Sequence, residues 1–221
     1  MIGPELPAAL PAIALAQRPV SPVLAHQPRL YVGVVGAPDV STVKFAGIHA
    51  PLLNVGVNLE YRLTNRLRLT TGLLRSTKHY VANREDYDWS KYPRAQARYF
   101  KQVEGACTVL DVPLNLRYDF MARPQDRIFG STGLSTFFMQ HERYSYHYLE
   151  NNIPMLWERR LVNENEHLFS ILNLSVGYEH SFGPRWSAQA EPYVKVPLAG
   201  VGAGKVQLTS GGVFFGVKYG F

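Results

Sequence analysis

The chain has 221 residues, room for one large domain or two small ones, and its 46% hydrophobic content excludes long disorder. Charged residues are sparse at 18%, with 23 Lys and Arg against 17 Asp and Glu giving a net charge of +6, and 13 Tyr, 11 Phe, 3 Trp and 18 Gly stand in their place. No run approaches the roughly 20 apolar residues of a membrane-spanning helix, and the single Cys107 excludes an internal disulfide framework and any multi-cysteine metal site.

Residues 1–28 form a segment apart, holding six of the fifteen prolines and almost no charge. The apolar run from Leu6 to Ala16 is interrupted by Pro7 and Pro11 and ends in Ala14-Leu15-Ala16 before Gln17, a small-x-small pattern of the kind a signal peptidase cleaves. No Lys or Arg precedes it. Two readings stand: a signal-peptide remnant with a shortened start, or a Pro-rich periplasmic tether. Either one leaves 29–221 as the folded domain.

From Arg29 onward the pattern has a period of two, the signature of strands with one apolar and one polar face. In chain order the expected strands are Leu30 to Val35, Asn54 to Leu63, Leu67 to Ser76, Leu110 to Phe120, Ile128 to Gln140, Leu172 to Glu179, Trp186 to Val196 and Gly212 to Phe221. Three connections are short and have turn chemistry: Thr64-Asn65-Arg66, Met121 to Asp126, and Phe182 to Arg185. The alternate ones, roughly 38–51, 80–104, 145–166 and 198–205, are mostly much longer. Tight turns at one rim and long loops at the other predict an all-β, eight-stranded antiparallel up-and-down transmembrane barrel, with short periplasmic turns and long extracellular loops.

A lipocalin-like soluble barrel has the same strand count, so the two faces must decide. With the apolar faces outward, the interior holds Glu60, Arg62, Arg68, Asp111, Arg117, Asp119, Glu179, Glu191, Lys195 and Lys218. That set has five acids and five bases, the balance a packed polar interior requires. Tyr61, Tyr118, Phe120, Tyr178, Trp186, Tyr219 and Phe221 fall on the apolar face near the short turns, where an aromatic girdle meets the membrane boundary. Phe215 joins them on the last strand.

Three stretches carry a resemblance. Val112-Pro113-Leu114-Asn115-Leu116-Arg117-Tyr118-Asp119-Phe120, the segment from Glu191 to Gly202, and the ending Gly216-Val217-Lys218-Tyr219-Gly220-Phe221 resemble the small outer-membrane β-barrel (porin-like) domains of Bacteroidetes bacteria. The resemblance covers about residues 29–221. It implies export to the outer membrane, and the terminal Phe with alternating aromatics is similar to the signal read by the barrel-assembly machinery. Some members of that family carry the barrel on a tether to an inner-membrane anti-sigma segment, which residues 17–28 would continue.

Chemistry is thinly represented. His79, His141 and His147 fall in or near the long-loop rim, where a lipid hydrolase, acyltransferase or protease would hold its site, but no G-x-S-x-G or H-E-x-x-H spacing is present. The expectation is no enzyme, no cofactor and no metal, with the rim enzyme as the alternative. Eight strands leave room only for side chains, so the interior charges read as a salt-bridged plug. The loops are the leading site of function: Tyr87, Trp89, Tyr92, Arg94, Tyr146 and Trp157 are candidate binding residues, since Tyr, Trp and Arg dominate recognition surfaces. An envelope protein, or the phosphates and sugars of outer-membrane lipids such as lipopolysaccharide, is the expected partner. Nucleic acid is not expected, because the excess charge lies in no groove-reading motif.

Overall fold

The computed structural model describes residues 28–43, 50–89 and 99–221, which form one antiparallel sheet of nine strands. They are β1 (Leu30–Val43), β2 (Leu52–Arg62), β3 (Leu67–Asn83), β4 (Tyr99–Ala122), β5 (Asp126–Glu150), β6 (Ile153–Val162), β7 (Glu166–Ser181), β8 (Trp186–Pro197) and β9 (Leu208–Gly220). β1 pairs with β2 and β9, and β4 pairs with β3 and β5, so eight of the nine close into a ring. Closure satisfies the wall's backbone polar groups within the wall, the condition for crossing lipid with strands. Residues 1–27, with the expected signal or tether, lie outside the described residues.

The ninth strand corrects the expected third loop. β5 is shared between two partners: Asp126 to Phe138 pairs with β7, and His141 to Glu150 pairs with β6. The 145–166 region is therefore mostly a hairpin that continues the wall upward. It turns at Asn151-Asn152, where φ values of 50° and 63° match the two left-handed positions of a type I′ turn. β1 and β3 also run past their expected ends to Val43 and Asn83, and β4 starts as early as Tyr99. In the last connection Val201 and Val206 form a bridge.

The outward face explains the extension. Along β4, Leu114, Leu116, Tyr118 and Phe120 point out and are exposed, and Leu53, Val55, Val57 and Leu59 do the same on β2. From Leu110 to Phe120 this band covers the roughly 9–11 residues a transmembrane strand needs. Above it the polarity reverses. Ser76, Lys78, Tyr80 and Ala82 on β3, and Val103, Gly105 and Cys107 on β4, point inward and are buried, while His79, Asn83, Lys101 and Glu104 are exposed. Below the switch the barrel turns oil outward and charge inward; above it, water-facing polar groups surround an apolar core.

Candidate functional site

The interior between the short turns and the switch is built of two polar layers. In the lower layer, Glu60 is bonded by Arg68 at 2.5 Å, Lys218 at 3.0 Å and Arg117 at 3.3 Å, and Glu179 by Arg117 and Lys218, each at 2.6 Å. Asp119 accepts from Arg117 Nε at 2.8 Å and from Arg127 at 3.0 Å. The Arg117 guanidinium also lies 3.6 Å from the centre of the Phe129 ring. Phe129 fits because position 177 is glycine: a Cβ there would stand 2.3 Å from the ring.

In the upper layer Asp39 accepts from Lys78 at 2.5 Å and from the Tyr193 hydroxyl at 2.6 Å, and Lys195 is paired with Asp111. Between the layers Glu191 accepts from Ser175 at 2.6 Å and Gln189 at 3.0 Å. It borders a cavity of about 60 Å³, room for a few waters. Nine of the ten charges expected inside lie in this lumen; Arg62 is half-buried at its lower end. Asp39, Lys78 and Arg127 are buried partners that sequence reasoning missed. With them the two layers and the space between them hold, among the described residues, six acids (Asp39, Glu60, Asp111, Asp119, Glu179, Glu191) and six bases (Arg68, Lys78, Arg117, Arg127, Lys195, Lys218).

Around the short turns, Tyr61, Tyr118, Phe120, Tyr178, Trp186 and Phe221 are 43–68% exposed on the outside. Tyr219 is half-buried against Trp186 and Phe221, and Phe215 sits higher on β9 in the lipid-facing band.

Above the switch an aromatic cap closes the lumen. Tyr87, Trp89 and Tyr146, expected as loop binding residues, are buried at 4%, 8% and 1% exposure and pack on one another and on Phe100. The hydroxyls of Tyr87 and Tyr146 are 2.8 Å apart. The β8–β9 connection inserts from the other side: the Asp88 amide donates to the Gly204 carbonyl at 2.8 Å, and Gly202, at φ 73°, donates its amide to His167 Nε2 at 2.9 Å. These aromatics are core. Trp157 differs: it stacks on Tyr146 at 4.8 Å and remains 40% exposed. Tyr92 and Arg94 lie outside the described residues.

The histidines do not converge. His79 pairs in register with Ala106, His141 with Thr108 and His147 with Gln102, placing them on three different rows of the outer wall. Glu142, one residue from His141, points the other way, into the cap, and accepts from Tyr144 and from Asn165 at 2.6 Å. Cys107 lies beside this group, and burial pushes its thiol up to about 12, which keeps it protonated and inert. Among the described residues no group of three or more His, Cys, Asp and Glu side chains is placed to hold a metal ion.

Among the described residues, one edge of the sheet is left open. There β6 ends the strand order and pairs only with β5. From the two-residue turn, the amides of odd-numbered β6 residues face β5. Those of Leu156, Glu158, Arg160 and Val162 face the open side, and Pro154 has none. Ile153, Met155 and Trp157 line the inward side of this edge and are 61%, 42% and 40% exposed.

A closed wall with lipid-facing residues outside and paired charges inside makes this chain a membrane-spanning β-barrel of the outer-membrane type. No family model matches the sequence, and no curated protein does. Among solved structures the chain is similar to Neisserial surface protein A, with 16% identity over 87% of this chain and 97% of that one and a TM-score of 0.49. It is similar to Ail, the attachment invasion locus protein of Yersinia pestis, with 10% identity, 88% and 99% coverage and a TM-score of 0.46. The outer membrane protease OmpT of Escherichia coli follows with 6% identity, 87% and 96% coverage and a TM-score of 0.44.

Proposed function

We propose that this protein is a non-enzymatic binding module of the bacterial outer membrane, whose β5–β6 hairpin captures an extended segment of an envelope protein. The open edge of β6 carries this reading. A strand with one bare row of N–H and C=O groups is a template for another strand, and monomeric proteins normally blunt such edges. Here the edge is ten residues long, stands above the lipid-facing band and has Ile153, Met155 and Trp157 on one side. The lumen is ill suited to transport, because both polar layers and the cap fill it.

Leu156→Pro tests the edge with little damage to the hairpin, since the lost amide faces the open side, where proline is tolerated in strands. A photo-crosslinking residue at Glu158 is expected to give a discrete adduct with one envelope protein in cells, and Leu156→Pro is expected to abolish it. An adduct of unchanged yield in that variant would rule out strand capture. The membrane reading has its own check: the folded chain should migrate differently on a gel before and after boiling and should need detergent to stay in solution.

A further inference from the structure

Just above the lipid-facing band, the outer wall carries a lateral row with two arginines and a histidine, none of them part of the interior ion pairs. His79 on β3 is in register with Ala106 on β4, Ala106 with Arg143 on β5, and Arg143 with Arg160 on β6. With adjacent strands about 4.8 Å apart, His79 and Arg143 stand roughly 10 Å from each other across Ala106. The small side chain of Ala106 leaves a notch between them, part of a surface depression of about 320 Å³ that also includes Thr77, Thr108, His141 and Arg160.

Two features show that the row suits an anion. Arg143 and Arg160 are directly opposite on the exposed face, and like charges so placed destabilise a strand pair. Arg143 has no ion-pair partner among the described residues, and Arg160 has only Glu158 at 4.0 Å. The surroundings then fix the orientation of the ligand. The next row up carries the acids Glu104 and Glu158, in register with Ser145. The row below holds Thr77, Thr108, His141 and Val162, with the hydroxyls of the two threonines, and beyond it lie the lipid-facing Leu110 and Phe138. An anion seated on the arginines is repelled from above, while a hydrocarbon chain attached to it has an apolar wall to follow below.

We propose that the His79–Ala106–Arg143–Arg160 row is a binding site for the phosphate of a lipid headgroup in the leaflet at this end of the barrel. Guanidinium groups recognise phosphate by charge-assisted, often bidentate hydrogen bonds. The lipid relieves the repulsion between Arg143 and Arg160, so the site is held open at the expense of the empty protein. The inference rests on the membrane reading above, and not on the hairpin edge.

The test uses the full chain refolded in detergent micelles and titrated with diphosphorylated lipid A, with binding read by native mass spectrometry. The double variant Arg143→Gln, Arg160→Gln is expected to bind about tenfold or more weakly, whereas Arg66→Gln, Arg123→Gln at the opposite rim binds as the wild type does. The same lipid stripped of its phosphates should bind wild type and double variant alike, and inorganic phosphate at millimolar concentration should not displace the lipid. Removing the opposed arginines should leave the lipid-free protein as resistant to urea as before, or more so, which separates a binding defect from misfolding. Equal affinity for wild type and double variant overturns the site, as does displacement by inorganic phosphate. A chain that does not insert into lipid vesicles, judged by protease protection, overturns the membrane reading and the site with it. Insertion with equal lipid binding overturns the site alone.

Discussion

Lys218 shows how the lower layer holds together. Its Nζ lies 3.0 Å from Glu60 and 2.6 Å from Glu179, so one cation bridges two carboxylates from strands on different sides of the barrel. Removing one member of a buried ion pair leaves its partners desolvated and uncompensated, which costs about 3–5 kcal/mol. Lys218→Met, similar in volume, is expected to lower stability by that amount in a urea titration of the bilayer-inserted protein, while Lys205→Met, whose side chain is exposed on an otherwise buried connection, changes it little. Most of this layer was legible in the sequence, because Glu60, Arg117, Glu179 and Lys218 alternate strictly with lipid-facing residues. Asp39 and Lys78 escaped because they lie beyond the expected strand ends: Gly36, Ala37 and Pro38 obscure the alternation before Asp39, and the outward neighbours of Lys78, Thr77 and His79, are not apolar. Phe129 had no assignment from the alternation: it lies inside as the platform for Arg117, in room left by Gly177 on the neighbouring strand.

The hairpin is the element the sequence concealed. Alternation along Tyr144, Tyr146 and Tyr148 is as regular as in any lipid-facing strand, but its apolar side faces inward, because above the lipid the outside of the wall meets water. A search for apolar-out strands therefore reads 145–166 as loop. The two asparagines at its tip were the local sign of a turn, since Asn tolerates the left-handed region better than other non-glycine residues. Asn152→Val puts a β-branched side chain at φ 63°, which costs roughly 1–2 kcal/mol. Limited proteolysis is expected to cut this variant between 146 and 157 while the lipid-embedded wall stays intact, and Asn152→Gly should resist as the wild type does. Cleavage that spreads into β7 or β4 would mean that the hairpin is not an independent unit.

For the whole molecule, the barrel has three obstructions in series: the lower ion-pair layer, the upper layer around Asp39, Lys78, Asp111 and Lys195, and the aromatic cap. The flow of ions through obstructions in series is governed by the tightest, so opening one alone changes little. The wild type is accordingly expected to show no steady conductance in a planar bilayer. Lys218→Ala with Glu179→Ala should weaken the protein without raising conductance, because the upper layer and the cap remain. Removing Tyr87 and Trp89 as alanine variants should likewise stay silent, since the ion pairs below are untouched. Only the combination of cap, upper-layer and lower-layer truncations is expected to give measurable current. A wild-type protein with steady ohmic conductance would show that the paired charges form a path and not a plug. Silence in each partial variant would place the function of this barrel on its outer surfaces, where the hairpin edge and the arginine row are exposed.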